Sequence, residues 1–262
     1  MNTILSVENL VIKYPLQNKL SFFKDNNYVN AVNDISFKIN EGETLGLVGE
    51  SGCGKTSTLR SIMQLLKPTS GKIYFLGKDL VNLSNKEIQK FRPKFQMIFQ
   101  DSFSSMNPKM SVSTILQEPF VIHEKFSKKN LDNLVVELLE KVGLNPDIKN
   151  RKPHQLSGGQ RQRVAIAKAI SLKPSLLVCD EPLSSLDVSV QAQVYNLLME
   201  IKENENLTIL FVSHDLNIVR HFADKIAVMH LGKIVEIIDS DNLSKSSHPY
   251  TLELLSSVYY IK

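Results

Sequence analysis

The sequence holds only two cysteines, Cys53 and Cys179, at a separation that suits neither a metal site nor a disulfide framework. That scarcity points to a reduced, cytosolic compartment. No apolar run approaches the roughly 18–20 residues that span a bilayer, so the chain is not expected to cross one by itself. Its opening, Met1–Val11, carries Glu8 within a short apolar stretch and lacks a basic leader, so no signal peptide is expected. Internal repeats, low-complexity tracts, long linkers and heptad stretches are missing as well, which removes solenoids and coiled coils from the candidates. Charge of one sign is also scarce: 31 Lys+Arg against 27 Asp+Glu leave a net +4. So small a surplus permits an anionic ligand or a membrane surface nearby, and no nucleic-acid partner is expected. With 42% hydrophobic and 22% charged residues over 262 positions, usage is ordinary and the length suits one large domain or two lobes.

Thr44–Val48, Ser175–Cys179 and Leu207–Val212 are continuous apolar runs, each ending in a polar turn, as strands buried on both faces should be. Helix-like stretches alternate with them: Lys55–Leu66, Asn85–Lys90 behind the capping-box pair Ser84 and Glu87, Leu131–Val142, and Val188–Glu203. The alternation predicts an α/β fold with a mainly parallel sheet flanked by helices. Val7–Ile12 and Val32–Ile39 read as edge strands of a smaller antiparallel β lobe, with Pro15–Tyr28 a polar surface excursion between them. From about Asp101 to Pro153 good strands are lacking, and a helical insertion is expected there.

Gly49-Glu50-Ser51-Gly52-Cys53-Gly54-Lys55-Thr56 satisfies G-x-x-x-x-G-K-[ST], after an apolar strand and before a helix, which is the context this motif needs. Average composition produces such a match in roughly one chain in a hundred. The glycines let backbone N–H groups curl round a phosphate, and the helix N-terminus adds a favourable field. Lys55 would neutralise the β- and γ-phosphates and Thr56 would offer its hydroxyl to Mg²⁺, with Ser57 completing the contact set. Cys53 inside the loop reads as a small filler rather than a reactive thiol. Further on, Leu176-Leu177-Val178-Cys179 delivers Asp180 and Glu181 at the carboxyl end of a strand, where open α/β sheets place their chemistry. Asp180 suits Mg²⁺ held through water, and Glu181 can polarise an attacking water. Ahead of that strand, Leu156-Ser157-Gly158-Gly159-Gln160-Arg161-Gln162-Arg163 sets a serine and two glycines before a helix, a second anion-binding concavity.

This last segment resembles the signature of ATP-binding-cassette (ABC) ATPases and lies where that family carries it. The resemblance covers nearly the whole chain. It implies the ABC ATPase fold as a single nucleotide-binding domain over 1–262, with a helical subdomain at about 101–155 and a short tail at about 240–262. ATP and Mg²⁺ are the implied cofactors, with Thr56, Gln100 and Asp180 toward the metal. Ser157 and Gly159 of one copy would face the γ-phosphate held by Lys55 of another, across a head-to-tail dimer, with Gly158 and Gln160 also in the nucleotide-binding set. Gln100, in Ile98-Phe99-Gln100-Asp101, matches the glutamine loop, which touches Mg²⁺ and water and senses the membrane partner. Ser184-Ser185-Leu186-Asp187 matches the loop that crosses between subunits, so Asp187 joins the nucleotide set. His214 matches the switch histidine that contacts the γ-phosphate, and Tyr14 sits where the family stacks an aromatic on adenine. No catalytic position departs from the pattern, so an active ATPase is implied.

Two features narrow the branch. Phe99-Gln100-Asp101-Ser102-Phe103-Ser104-Ser105-Met106-Asn107-Pro108 and the ending His248-Pro249-Tyr250-Thr251-Leu252-Glu253-Leu254-Leu255 resemble the oligopeptide, dipeptide and nickel importer ATPases. In that branch this chain looks like the shorter, F-type subunit. The implied partners are two membrane-spanning permease subunits, a second cassette (a related D-type chain or another copy of this one) and, indirectly, an external solute-binding protein. The implied place is the cytoplasmic face of the membrane. Some relatives bind an iron–sulfur cluster through C-terminal cysteines; none follows Cys179 here, so no cluster is expected, and no added regulatory domain is expected after the tail motif. The expected function is to power uptake of peptides or of nickel or metal chelates. The rivals are a soluble ABC ATPase of iron–sulfur assembly type and a module in which ATP only switches assembly.

Overall fold

The computed structural model describes residues 2–15, 28–102, 104–123 and 128–259. In chain order the strands are β1 (Thr3–Pro15), β2 (Tyr28–Asn40), β3 (Thr44–Val48), β4 (Ser70–Phe75), β5 (Lys78–Asp79), β6 (Phe95–Ile98), β7 (Leu176–Asp180), β8 (Thr208–Ser213), β9 (Lys225–His230) and β10 (Lys233–Asp239). The helices are α1 (Lys55–Ile62), α2 (Asn85–Phe91), α3 (Val112–His123), α4 (Lys128–Lys141), α5 (Gly158–Ile170), α6 (Val188–Glu205), α7 (Leu216–Phe222) and α8 (Pro249–Tyr259). The chain divides into two compact units, Met1–Ile88 with Leu210–Lys262, and Gln89–Ile209. Among the described residues no helix is long and apolar enough to cross a membrane.

In the first unit a four-stranded antiparallel sheet runs β2-β1-β4-β5. β2 alternates as a half-buried strand should: Ile35, Phe37 and Ile39 are buried while Ser36 and Lys38 face out. Val7–Ile12, expected at an edge, is interior. β1 hydrogen-bonds β2 on one side (Leu5↔Ile39, Ile12↔Val32) and β4 on the other (Val7↔Ile73), because apolar residues crowd it too densely for a solvated edge. Its register slips between Val7 and Leu10, where Asn9 takes a left-handed φ of 49°. Beside this sheet in the chain, β3 pairs in parallel with β9 (Gly46↔Ile226, Val48↔Val228), and β9 pairs antiparallel with β10. Every residue of β3 is buried. Helix α7 approaches it so closely that a Cβ on Gly46 would fall 2.1 Å from Val219 Cγ1. Of the expected surface excursion at Pro15–Tyr28, residues 16–27 lie outside the described residues.

In the second unit β6 and β7 pair in parallel, Phe95↔Leu176 through Ile98↔Cys179. The strand expected at Ser175–Cys179 begins one residue later and ends on Asp180; just ahead of it the Ser175 N–H donates to Lys94 O at 2.8 Å. The segment expected to be a helical insertion is α3 and α4 followed by short 3₁₀ turns at Pro146–Asn150 and Pro153–Gln155. Charged side chains tie these helices together: Lys168 on α5 to Glu118 on α3 at 2.6 Å, and Arg163 on α5 to the Val142 carbonyl at 2.8 Å. The C-terminal α8 belongs to the first unit. It docks through Tyr250 and Thr251, whereas Leu252 is 45% exposed.

Candidate nucleotide-binding and hydrolysis site

The residues singled out from sequence fall into two sets, one in each unit. Tyr14, Gly49–Ser57 and His214 lie in the first; Gln100, Ser157–Gln160, Asp180, Glu181 and Asp187 lie in the second.

The phosphate loop leaves β3 at Gly49 and enters α1 at Lys55. Two of its glycines are sterically obligatory. A Cβ on Gly49 would sit 2.1 Å from the Met229 carbonyl oxygen. One on Gly54, whose φ is 110°, would sit 2.2 Å from the Ala31 carbonyl oxygen. The loop is therefore laid directly on neighbouring backbone, and the Gly232 N–H donates to Cys53 O at 3.0 Å to hold it there. Cys53 is buried, in keeping with its reading as filler. Lys55 is only 5% exposed. Its Nζ donates to the carbonyl oxygens of Gly49 at 2.6 Å and Glu50 at 2.7 Å, with Cys53 Sγ 3.7 Å away. Those partners satisfy the donors of a buried ammonium, but none of them carries a charge to cancel its own, and a buried cation is costly until an anion arrives. A polyphosphate is the anion that a lysine at the N-terminus of α1 suits. Ser51 and Gly52 form the exposed crest of the loop, and Thr56 is exposed at the start of α1.

Tyr14, near the end of β1, is 38% exposed, and its Oη lies 3.3 Å from Ser57 Oγ. An aromatic face is thereby stationed beside the first turn of α1. His214 follows β8 and is exposed. The turn that carries it is pinned on both flanks: Ser213 Oγ accepts the Asp215 N–H at 3.0 Å, and Asp215 caps α7 by accepting from Asn217 N and Ile218 N.

In the second unit the buried β7 ends on Asp180, which is itself buried, and hands over to Glu181. Glu181 adopts φ 45°, a left-handed conformation uncommon outside glycine and frequent at functional sites. Its carbonyl accepts from Ser184 N and Ser184 Oγ, which fixes the turn that follows. Its carboxylate Oε2 accepts from Gln100 Nε2 at 3.1 Å, so two residues 81 positions apart in sequence meet side chain to side chain. With Nε2 directed at Glu181, Oε1 is the Gln100 atom able to ligate a cation. The Gln100 amide oxygen and the Asp180 carboxylate in the second unit, and the Thr56 hydroxyl in the first, are each oxygen donors of the hard type that Mg²⁺ prefers.

Ser157 is the N-cap of α5 in a full capping box: its Oγ accepts the Gln160 N–H and Gln160 Oε1 accepts the Ser157 N–H. The hydroxyl proton remains able to donate to an anion. Gly158 and Gly159 open the helix, and a Cβ on Gly159 would fall 2.6 Å from Val190 Cγ1 of α6. Asp187 heads α6 and makes no side-chain cap bond.

Sequence reasoning missed one contact at the phosphate loop. Tyr250 Oη accepts the Glu50 backbone N–H at 3.2 Å. No local signal could have revealed a bond across 200 residues.

The ABC transporter family profile matches residues 32–184, more than half of the chain. The chain belongs to the ABC transporter family. This ABC cassette is 47% identical over 258 residues to the oligopeptide transport ATP-binding protein AppF of Bacillus subtilis (strain 168), spanning 98% of this chain and 78% of that protein. It is 48% identical over 244 residues to the dipeptide transport ATP-binding protein DppF of Lactococcus lactis subsp. cremoris (strain MG1363), spanning 91% and 78%. Among solved structures, the cassette superposes on a dimeric ATP-binding cassette, MJ0796, in a post-hydrolysis state bound to ADP and Pi. The TM-score is 0.80 at 28% identity, covering 90% of this chain and 99% of that one. The fold is that of the ABC ATPases, a P-loop nucleotide triphosphatase fold with a mixed sheet, and the rival reading as an iron–sulfur assembly ATPase is not favoured by these relatives.

Proposed function

We propose that this cassette is the ATP-binding and ATP-hydrolysing subunit of a peptide importer. The observation that carries the nucleotide half is the buried Lys55 ammonium, held by two carbonyl oxygens over a loop that only glycine can build. The transport half rests on family membership and on relatives named for oligopeptide and dipeptide transport. Hydrolysis asks for positioning and charge stabilisation more than for covalent chemistry. Lys55 neutralises the transferring phosphoryl group. Mg²⁺, when bound through Thr56, Gln100 and Asp180, supplies Lewis-acid stabilisation of the phosphate oxygens. Glu181 takes the proton of the attacking water, and the Gln100 amide keeps the carboxylate oriented in the ground state. His214 contacts the γ-phosphate, and Tyr14 offers its ring to adenine.

The two units work as one nucleotide-binding domain over 1–262, with the helical segment at about 101–155 turned to the membrane partner and the tail at about 240–262. Ser157–Gln160 and Asp187 serve a second cassette in a head-to-tail pair, a D-type relative or another copy of this chain. Two permease subunits and an external solute-binding protein complete the assembly, at the cytoplasmic face of the membrane. The test uses the full-length Glu181→Gln chain, tagged and purified from solubilised membranes with ATP·Mg²⁺. We expect ATP retained, turnover lost, and two multi-span membrane proteins and a second cassette alongside. Soluble partners only would overturn the importer reading; undiminished turnover would remove Glu181 from the role of base.

A further inference from the structure

The C-terminal helix reaches the phosphate loop, and it does so through one buried phenol. Tyr250, the second residue of α8, is 6% exposed, and its Oη accepts the Glu50 N–H at 3.2 Å. The Glu50 carbonyl in turn accepts from Lys55 Nζ at 2.7 Å. A single residue therefore links the tail to the loop lysine: its N–H is held by the phenol and its C=O by the ammonium. The Glu50 N–H shares its peptide plane with the Gly49 carbonyl, which accepts from Lys55 Nζ at 2.6 Å, so if the phenol releases the N–H that plane can turn and the Gly49 carbonyl that parks Lys55 turns with it.

The phenol is itself firmly placed. The Tyr250 ring lies against the His230 imidazole, centroids 3.9 Å apart and tilted by 41°. The start of α8 is clamped to β10 by Glu236, whose Oε2 accepts from Ser246 Oγ and from Thr251 Oγ1, each at 2.6 Å. Thr251 is fully buried. His230 ends β9, and two residues later the Gly232 N–H donates to Cys53 O. The loop is thus pinned twice from the same corner of the fold, once through Gly232 and once through Tyr250. Burial raises the Tyr250 pKa, so the group stays a neutral acceptor at ordinary pH.

We propose that Tyr250 is a positioning residue for nucleotide binding: by accepting the Glu50 N–H it fixes the peptide that presents Lys55 to the phosphates, so that α8 sets the affinity of the loop. This rests on the nucleotide reading of the loop. The test is Tyr250→Phe in the full chain, which keeps the ring on His230 and removes only the acceptor. The KM for ATP should rise about fivefold, the equivalent of about 1 kcal/mol. The kcat and the melting temperature without nucleotide should stay as in the wild type. Leu252→Ala, on the exposed side of α8, should change none of these. A Tyr250→Phe chain with unaltered KM overturns the proposal and leaves the nucleotide reading standing, as does one whose only change is a lower melting temperature. A wild-type chain that binds no ATP overturns both. Should the variant not fold, amide exchange of Glu50 in the unliganded wild type decides: slow exchange is expected, and exchange as fast as that of the exposed Ser51 overturns the proposal.

Discussion

The phosphate loop and the acidic end of β7 are built by opposite means. The loop is held almost wholly by backbone: carbonyls of Ala31 and Met229 press on its glycines, the Gly232 N–H and the Tyr250 phenol anchor it, and Lys55 is folded onto its own carbonyls. Nothing there needs to move before a phosphate arrives, which is how binding energy avoids being spent on reorganisation. The acidic end is held by side chains. Glu181 sits in a left-handed conformation and its carboxylate is steadied by the exposed Gln100 amide, a bond that a water or a cation can replace. Affinity is thus expected to reside in the rigid region and turnover in the adjustable one.

Glu181→Gln breaks the adjustable region alone. Turnover should fall about a thousandfold, within the range for losing a positioned base, while ATP affinity stays within about threefold. Steady-state hydrolysis and equilibrium ATP binding on the same preparation check it, and a large loss of affinity would show that the two regions are not separable in this way. Lys55→Met breaks the other. ATP affinity should fall about a hundredfold, as expected for one or two charge-assisted bonds to phosphate. The same variant should melt no lower than the wild type without nucleotide, because it removes a buried ammonium that has only neutral partners. A lower melting temperature would mean that the lysine stabilises the empty loop rather than waiting for a phosphate.

Much of this was legible in the residues. The eight-residue loop motif announces itself, β3 falls where the apolar run Thr44–Val48 puts it, and α6 extends the expected Val188–Glu203 by two residues. What escaped is what depends on tertiary placement. The apolar density of β1 shows that it needs cover, but not that β4, from beyond the phosphate loop, pairs its second edge. The face by which α8 docks is not visible in its own residues, since Tyr250 meets Glu50, 200 residues away, and Thr251 meets Glu236 on β10. The left-handed Glu181 has no sequence signal, since glycine or asparagine would be the usual occupant. The meeting of Gln100 with Glu181 could be suspected only by family resemblance.

Gly159 tests whether the second unit is adjustable away from its acidic end, because its backbone lies hard against the Val190 side chain. Gly159→Ala drives a Cβ to 2.6 Å from Val190 Cγ1 and should cost about 1–3 kcal/mol in chemical denaturation. Val190→Ala in the same chain should return most of it. If Gly159→Ala is silent, α5 and α6 yield to each other and the second unit is soft throughout, not only at its acidic end.

The smallest effect is expected where charge supports the scaffold beneath the loop. Lys225 opens β9 and pairs with Glu43 at 2.8 Å; its side chain is well exposed. The hydrogen bond to Glu43 holds the lysine pKa above its ordinary value of 10.5. A raised lysine pKa means that the folded state binds its proton more tightly than the unfolded one. The stabilisation is therefore complete below about pH 10 and is lost as pH rises through the raised value. Exposure and salt screening leave at most about 0.5 kcal/mol at neutral pH. Lys225→Met should lower stability by no more than that at pH 7 and by nothing measurable in strongly alkaline solution, where the wild type has also lost the pair. A larger loss at pH 7 would mean that the loop's rigidity draws on this ion pair, and that backbone contacts are not enough to hold it.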